Sequence, residues 1–309
     1  MTVPRAATAS VSAAHLSAHE ALRRARPIYW SVRRELWENR WVYIAPAGIA
    51  AFILSVFLAS ALRQPNRVAE SLTVKPSSSI AVLADSGLSG PMVLMMATLL
   101  IGLFYSLEAL QGERRDRSIL FWKSLPVSDA ATILAKALIP LAVLPVLTCA
   151  LIVATQLAML VLGSGVLLVT GSDPGAAWDA FPFLLWPVMV YFVVAMTLWH
   201  APIYAALLLI SSWARRAPFL WATLPLLVLT VVERHTLYTS YVTGFLAHRS
   251  LGFFNEAFAV SARAGENADR LPFLTPGNFL TSPGLLLGLL FAALCLIAAV
   301  RLRRKRDPV

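Results

Sequence analysis

The chain has 309 residues, of which 58% are hydrophobic and only 14% are charged, with a mean hydropathy of +0.71. Soluble domains contain about 45–50% apolar and about 25% charged residues, so this composition excludes an ordinary soluble domain. The apolar residues come in uncharged runs of about 20, the length of helix that crosses about 30 Å of hydrocarbon. The sequence therefore predicts an all-α polytopic membrane protein and excludes disordered chains, coiled coils and disulfide scaffolds.

A tryptophan stripe precedes the first apolar run, within residues 27–41. At 3.6 residues per turn, Trp30, Trp37 and Trp41 fall within about 40° of one another, and Arg33, Arg34 and Arg40 flank them. This pattern is typical of an amphipathic helix that lies in the headgroup layer, and we expect such an interfacial helix before the first span. The alternative is that the first span begins early, with an aromatic belt.

Six apolar runs are predicted to span the membrane: residues 42–62, 91–111, 137–170, 181–213, 218–232 and 284–300. The third and fourth runs are long, and each is expected to form either one tilted helix or a helix followed by an interfacial turn. Proline removes a backbone donor and clashes with the preceding helical turn. We therefore expect bends in these two helices at Pro140, Pro145, Pro187 and Pro202.

The basic residues predict the orientation, because short cytoplasmic loops carry the excess of Lys and Arg. The six-span arrangement places 19 of the 26 Lys and Arg on one side of the membrane. They lie in the N-terminal tail, around the loops that follow the second and fourth spans, and in the C-terminal tail. This places both termini in the cytosol, and it explains the net charge of +10 without a nucleic acid partner.

The predicted organisation has three parts. Residues 1–41 form a cytosolic tail with its interfacial helix, residues 42–300 form the transmembrane domain, and residues 301–309 form a basic cytosolic tail. Outside the membrane, residues 63–90 are expected to be an irregular loop. Residues 233–283 are too apolar for a solvated loop and too polar to span, so we expect one or two helices that dip into the outer leaflet or pack over the spans.

Few polar side chains lie inside the predicted spans, and each is a functional candidate because a charge at the bilayer centre is costly. Glu108 is close enough to the cytosolic interface for an ion pair with Arg114 or Arg115. His200, well inside the fourth span and close to Pro202, is expected to be neutral and to donate to a backbone carbonyl that the proline frees. The alternative for both residues is proton transfer.

No catalytic constellation is present in the sequence. It has no HExxH motif and no GxSxG motif, and His15 and His19 share a helical face without a third metal ligand. No glycine precedes a lysine, which excludes a Walker A loop. Cys149 and Cys295 both lie in apolar runs, where cysteine behaves as a small hydrophobe. We therefore expect no catalytic, cofactor or metal site, and no enzymatic activity, in this chain.

The densest polar segment is GERRDRSILFWKSLPVSD, residues 112–129, between the second and third spans. Its first half interleaves acidic and basic residues, and its second half places large apolar side chains beside Lys123. Ser128 and Asp129 are suited to cap the helix that follows. An exposed aromatic anchor among charges of both signs favours a groove on a protein partner. The alternative is a juxtamembrane loop held by anionic lipid.

The run from Phe104 to Asp129, followed by Lys136, resembles the corresponding stretch of the permease subunits of type 2 ABC exporters. The order of six spans, the N-terminal amphipathic helix and the apolar outer segment are also similar to that family. The resemblance implies a dimeric transmembrane domain in a bacterial inner membrane. It also implies a coupling helix, within residues 112–130, that sits on a separate ATPase subunit. That partner, in two copies, would bind ATP and Mg²⁺, and the second permease subunit would be identical or homologous.

The resemblance implies a set of residues that contact the ATPase subunit. Phe121, Trp122 and Leu125 would be the anchors, and the neighbouring charges would orient them. The full predicted contact comprises Glu113, Arg114, Arg115, Asp116, Arg117, Phe121, Trp122, Lys123, Leu125 and Pro126.

Two other functions stay open from the sequence. One is an ATP-coupled membrane module that transmits force or a signal through residues 233–283 without transporting a substrate. The other is an intramembrane enzyme or proton-coupled carrier that uses Glu108 and His200. The spans themselves indicate no particular substrate.

Overall fold

The computed structural model describes residues 28–73, 86–115, 128–181, 183, 185–214, 216–259 and 273–305. Long helices make up most of this part of the chain. In chain order the first helices are α1 (28–38), α2 (Trp41–Arg63), α3 (Pro65–Thr73), α4 (Ser86–Arg115) and α5 (Asp129–Leu138). A π-helical turn (Ile139–Val143) leads into α6 (Leu144–Val169), α7 (Ala176–Ala180), α8 (Leu185–Trp213) and α9 (Pro218–Val232). A second π-helical turn (Glu233–Leu237) precedes α10 (Tyr241–Leu251) and α11 (Phe253–Ala257). After these come β1 (Phe258–Ala259), β2 (Phe273–Leu274), α12 (Pro276–Thr281) and α13 (Pro283–Lys305).

Five of the helical stretches in the described part of the chain are long and apolar enough to cross a membrane. They are Trp41–Arg63, Gly90–Glu113, Asp129–Val169, Trp186–Trp213 and Pro283–Lys305. These helices make the chain a helical integral membrane protein, as its composition predicts. The remaining predicted span, residues 218–232, forms α9, whose 15 residues are fewer than the about 20 that a perpendicular span requires.

The third long helix is continuous over 41 residues, from Asp129 to Val169. At 1.5 Å per residue it is about 60 Å long, roughly twice the thickness of the hydrocarbon layer. One helix that projects beyond the bilayer is therefore the correct choice of the two alternatives. Pro140 lies inside the π-helical turn, where the wider winding accommodates the missing backbone donor.

The expected bend at Pro187 is wrong. Pro187 is the third residue of α8, and the first four N–H groups of a helix have no intrahelical partner, so proline is tolerated there. Pro202 does lie in the interior of α8.

The expectation of an irregular loop at residues 63–90 is also wrong for its first part, which forms α3. Ala69 of α3 packs with Leu160 and Leu167 of α6 and with Ala177 of α7. Val68 and Leu72, four residues apart, lie partly buried on the same side of α3. The projecting end of α6 offers an apolar surface, and α3 and α7 cover part of it.

The described part of residues 233–283 forms α10, α11, α12 and an antiparallel strand pair in which Phe258 lies opposite Leu274. Phe253 and Phe279 are buried in one cluster with Trp199 of α8. Helices packed against the spans are thus present in this segment, and its described part holds three short helices where one or two were expected.

α8 lies at the centre of the bundle and packs along α4 and α13. One close contact with α4 is at Gly102, where a Cβ atom would lie 3.0 Å from a ring carbon of Tyr204. Tyr204 is only 3% exposed, so its ring has little room to move. A small residue at this position lets the two helix backbones approach closely, as is typical of membrane helix pairs.

We predict that Gly102→Val destabilises the protein by about 1–3 kcal/mol, because the added side chain overpacks the contact with Tyr204. Gly48→Val is the matched control, since nothing lies within 4 Å of the Cβ position at Gly48. Thermal unfolding of both variants in detergent measures the difference. Equal unfolding temperatures for the two variants would contradict the close packing of α4 on α8.

Candidate functional site: a buried charge cluster at the ends of the predicted coupling loop

Acidic and basic side chains from four helices meet where the predicted coupling loop, residues 112–130, leaves the bundle and returns to it. α1 contributes Arg34 and Glu35, and the end of α4 contributes Glu113. α5 contributes Asp129 and Lys136, and the end of α13 contributes Arg303. We call these six residues the charge cluster: Arg34, Glu35, Glu113, Asp129, Lys136 and Arg303.

The centre of the cluster is the ion pair between Glu35 and Lys136. Lys136 Nζ donates to both carboxylate oxygens of Glu35 at 2.9 Å. The side chain of Lys136 is 2% exposed and that of Glu35 is 1% exposed. Arg34 Nη2 donates to Glu35 Oε1 at 3.0 Å, and Tyr105 Oη donates to Glu35 Oε2 at 3.1 Å. The carboxylate is therefore satisfied on both oxygens.

Glu113 connects this pair to the C-terminal helix. Lys136 Nζ lies 3.1 Å from Glu113 Oε1, and Arg303 Nη1 donates to Glu113 Oε2 at 2.9 Å. The same guanidinium donates through Nε to Asp129 Oδ1 at 3.0 Å. Glu113 lies at the start of the loop and Asp129 lies at its end, so a single arginine of α13 holds both ends of the loop.

The local sequence explains how each group reaches the cluster. Ser31 and Glu35 are four residues apart and form the buried face of α1, opposite its tryptophans. Ser128 Oγ accepts a hydrogen bond from Ala131 N at 3.2 Å, so the predicted N-cap of the third span is confirmed. This cap fixes the first turn of α5, and Lys136 follows two turns later.

The last turn of α4 is also attached to α8. Leu110 N and Gln111 N both donate to Ser211 Oγ at 3.1 Å. The helix that enters the loop is thus attached to the central helix of the bundle as well as to α13.

The energetics of the cluster depend on all its partners being present. Removing a carboxylate or an ammonium from water costs several kcal/mol per ion, and only close ion pairs and hydrogen bonds offset this cost. The six formal charges of the cluster balance, three against three. At its rim, burial and the neighbouring Glu35 carboxylate raise the pKa of Glu38, against the lowering effect of Arg34.

The residues predicted to contact an ATPase subunit divide into three groups. Glu113 is buried in the charge cluster, so its carboxylate holds the loop end and does not face outward. Arg115 is exposed, and its Nη2 lies 3.8 Å from Glu108 Oε1, which confirms the predicted pairing of Glu108. The side chain of Arg114 and the residues of the loop itself lie outside the described part, namely Asp116, Arg117, Phe121, Trp122, Lys123, Leu125 and Pro126.

A separate helix, α1, is present where the sequence predicts the interfacial helix, and it ends just before α2 begins. Trp30, Trp37 and Trp41 are all exposed, as the stripe predicts. The flanking arginines differ from one another, because Arg34 turns inward to the cluster while Arg33 stays on the exposed side.

The second intramembrane candidate, His200, is buried, and its Nδ1 lies 2.7 Å from the carbonyl oxygen of Met196. His200 does contact a backbone carbonyl, but the expectation that this carbonyl is one freed by a proline is wrong. Its partner is four residues earlier and is not the Leu198 carbonyl, which Pro202 deprives of its usual donor.

Two polar anchors near the other end of the bundle were not predicted from the sequence. Arg249 of α10 donates to the carbonyl oxygens of Trp199 and Gly284, and its guanidinium carbon lies 4.7 Å from the Trp199 ring centroid. Glu233 accepts hydrogen bonds from Val242 N at 2.9 Å and therefore caps the start of α10. Both contacts fasten α10 to the bundle.

The ion pair between Glu35 and Lys136 was also missed. Its partners are 101 residues apart, so no local spacing connects them. The available signal was a single carboxylate on the side of the amphipathic helix that faces away from the tryptophan stripe. A charge in that position must find a partner in the bundle.

The arrangement is suited to holding helices together. Within the described part of the chain, no group of three His, Cys, Asp or Glu side chains is placed to hold a metal ion. The chain matches no family model, no curated protein and no solved structure.

We predict that Lys136→Met lowers the free energy of unfolding by about 3–5 kcal/mol, because Glu35 is left buried without its main partner. The double variant Glu35→Gln, Lys136→Met should be more stable than Lys136→Met alone, since the stranded carboxylate is removed. Lys305→Met, at an exposed position of α13, is the control and should unfold like the unmodified protein.

Unfolding in detergent, driven by temperature or denaturant, is measured for five proteins: the unmodified protein, Lys136→Met, Glu35→Gln, the double variant and Lys305→Met. Additive losses for Glu35→Gln and Lys136→Met would show that the two charges do not depend on each other, and would contradict the ion pair.

Proposed function

We propose that this protein is the transmembrane permease subunit of an ATP-binding cassette exporter. Two permease chains would form the pathway, and two separate ATPase subunits would drive it. Because the sequence excludes a Walker A loop, ATP and Mg²⁺ would be bound by the partner subunits. The proposed location is a bacterial inner membrane, with both termini in the cytosol.

The observation that carries the proposal is the attachment of both loop ends to one buried cluster. Arg303 bridges Glu113 and Asp129, and Lys136 bridges Glu113 and Glu35. A loop with free ends would absorb a push from a partner by local motion. A loop whose ends are ion-paired to other helices would pass the displacement on to them.

Sequence features support the same function. The run Phe104–Asp129 resembles the coupling region of type 2 ABC exporter permeases, and the segment's mixed charge around an aromatic anchor suits a protein groove. A sixth span is part of the proposal. α9 and the π-helical turn Glu233–Leu237 follow one another without a break, and together they approach the length that a crossing helix requires.

The proposed mechanism follows from these attachments. ATP binding would draw the two ATPase subunits together and displace the loop of residues 112–130. α4 and α5 would receive that displacement directly. Arg303 would carry it to α13 and Glu35 would carry it to α1. The population of the two permeases would then shift between inward-facing and outward-facing arrangements.

We predict that Trp122→Ala weakens binding of the ATPase subunit by about 30-fold, because truncation of an aromatic anchor typically costs about 2 kcal/mol or more. Charge reversal at Arg115 and Arg117 should also lower co-purification of the ATPase, and with it ATP hydrolysis coupled to the permease. Membrane insertion should not change. Pull-down of tagged permease from membranes, with the ATPase identified by its ATP hydrolysis, measures the effect.

Trp221→Ala is the matched control, because Trp221 is an exposed tryptophan of α9, a helix that lies outside the loop and its attachments. It should retain the full amount of ATPase. Unchanged assembly and turnover in the Trp122 variant would contradict the assignment of the loop. Uptake into sealed inverted vesicles separates transport from an ATP-coupled module that moves no substrate.

A further inference from the structure

The two faces of α1 have different chemistry. Ser31 and Glu35 are buried against the bundle, and Glu35 belongs to the charge cluster. On the opposite face, Tyr29, Trp30 and Trp37 are 61%, 58% and 64% exposed. An amphipathic helix that is fastened by ion pairs on one face thus presents aromatic side chains on the other.

Arg33 lies between the two exposed tryptophans. Its guanidinium carbon is 5.2 Å from the ring centroid of Trp30 and 5.6 Å from that of Trp37. Both distances are within the range of cation–π contacts, so the two indoles hold the guanidinium in place on the exposed face.

The charge of Arg33 has no carboxylate partner among the described residues, whereas the adjacent Arg34 pairs with Glu35, Glu38 and Glu113. Arg40, in the short connection between α1 and α2, is exposed and likewise forms no ion pair with a described carboxylate. The outer face of α1 therefore carries positive charge that no carboxylate in the described part of the chain compensates.

The position of this face identifies its occupant. α1 ends at residue 38, and the first membrane-crossing helix begins at Trp41, so the face adjoins the membrane surface. Indole rings favour the headgroup layer, and a guanidinium matches a phosphate through two parallel hydrogen bonds. A binding face for a protein partner would not have to adjoin the first membrane-crossing helix.

We propose that the outer face of α1 binds the headgroup of an anionic phospholipid, with its phosphate on Arg33 between Trp30 and Trp37. Arg40 adds a second positive charge to the same site. The proposal depends on the placement of α1 at the membrane surface and does not depend on an ATPase partner.

The site has a consequence for the charge cluster. The same short helix carries Arg33 on one face and Glu35 on the other, so a lipid that holds α1 in place also holds Glu35 on Lys136. We therefore expect anionic lipid to stabilise the cluster. Together with the proposed function, this would make the attachment of the loop sensitive to the lipid composition of the cytosolic leaflet.

The experiment measures lipid binding by the full chain, purified alone in detergent. Native mass spectrometry counts retained phosphatidylglycerol and phosphatidylcholine after each is added separately. The unmodified protein should retain the anionic lipid preferentially. Arg33→Gln should reduce that preference by about fivefold, because one basic residue at an anionic surface contributes about that factor. Arg33→Lys should retain part of the preference, since the charge remains and the planar contact is lost.

Arg67→Gln is the matched control, because Arg67 is an exposed arginine of α3 that lies away from α1. It should leave the preference unchanged, and the helical content of all variants should be equal by circular dichroism. Equal retention of the two lipids by the unmodified protein would overturn the proposal. So would an Arg33→Gln variant that retains phosphatidylglycerol as well as Arg67→Gln does.

A second measurement links lipid to the cluster. Phosphatidylglycerol should raise the unfolding temperature of the unmodified protein more than phosphatidylcholine does, and Arg33→Gln should remove this difference. Failure of the ATPase interaction would leave both lipid results unaffected, so the two proposals fail separately.

Discussion

The ion pair between Glu35 and Lys136 is the contact on which one end of this molecule depends. Two charges that are almost completely buried are stable only when both are present and their remaining donor and acceptor groups also have partners. Tyr105, Arg34 and Glu113 supply those remaining contacts. The pair therefore requires α1, α4 and α5 to be assembled together, and Arg303 extends the requirement to α13.

The opposite side of the bundle is held by a different kind of contact. Arg249 binds backbone carbonyls, and Glu233 binds backbone N–H groups at the start of α10. Backbone partners are fixed by the helices that carry them, so these contacts hold α10 in one place. Ion pairs between side chains have several nearby partners of opposite charge, and a cluster of them can rearrange. Movement is thus expected at the loop end of the bundle.

The parts of this fold that follow from short-range periodicity were predictable from the sequence. The apolar runs gave the long helices, the tryptophan spacing gave the exposed stripe of α1, and the pairing of Glu108 with Arg115 followed from their proximity along one helix. The helix α3 was missed because its apolar stripe is short and is stabilised by the projecting end of α6. That surface exists only because the third span runs on for 41 residues.

The charge cluster was not predictable, because its members come from four helices and carry no common spacing. Glu113 illustrates the difficulty. Its position among the charges of residues 112–117 suggests an outward-facing contact, and only the folded bundle shows that Lys136 and Arg303 bury it. Expectations about loop chemistry are therefore least secure at the residues where a loop joins its helices.

We propose that a separate ATPase acts on this chain through the loop whose ends the charge cluster holds. The most direct test is the subunit composition of the complex, purified from native membranes in mild detergent and measured by native mass spectrometry. We expect two copies of this chain, or this chain and a homologous one, together with two ATPase subunits. A stable complex of this chain that contains no ATPase subunit would contradict this proposal.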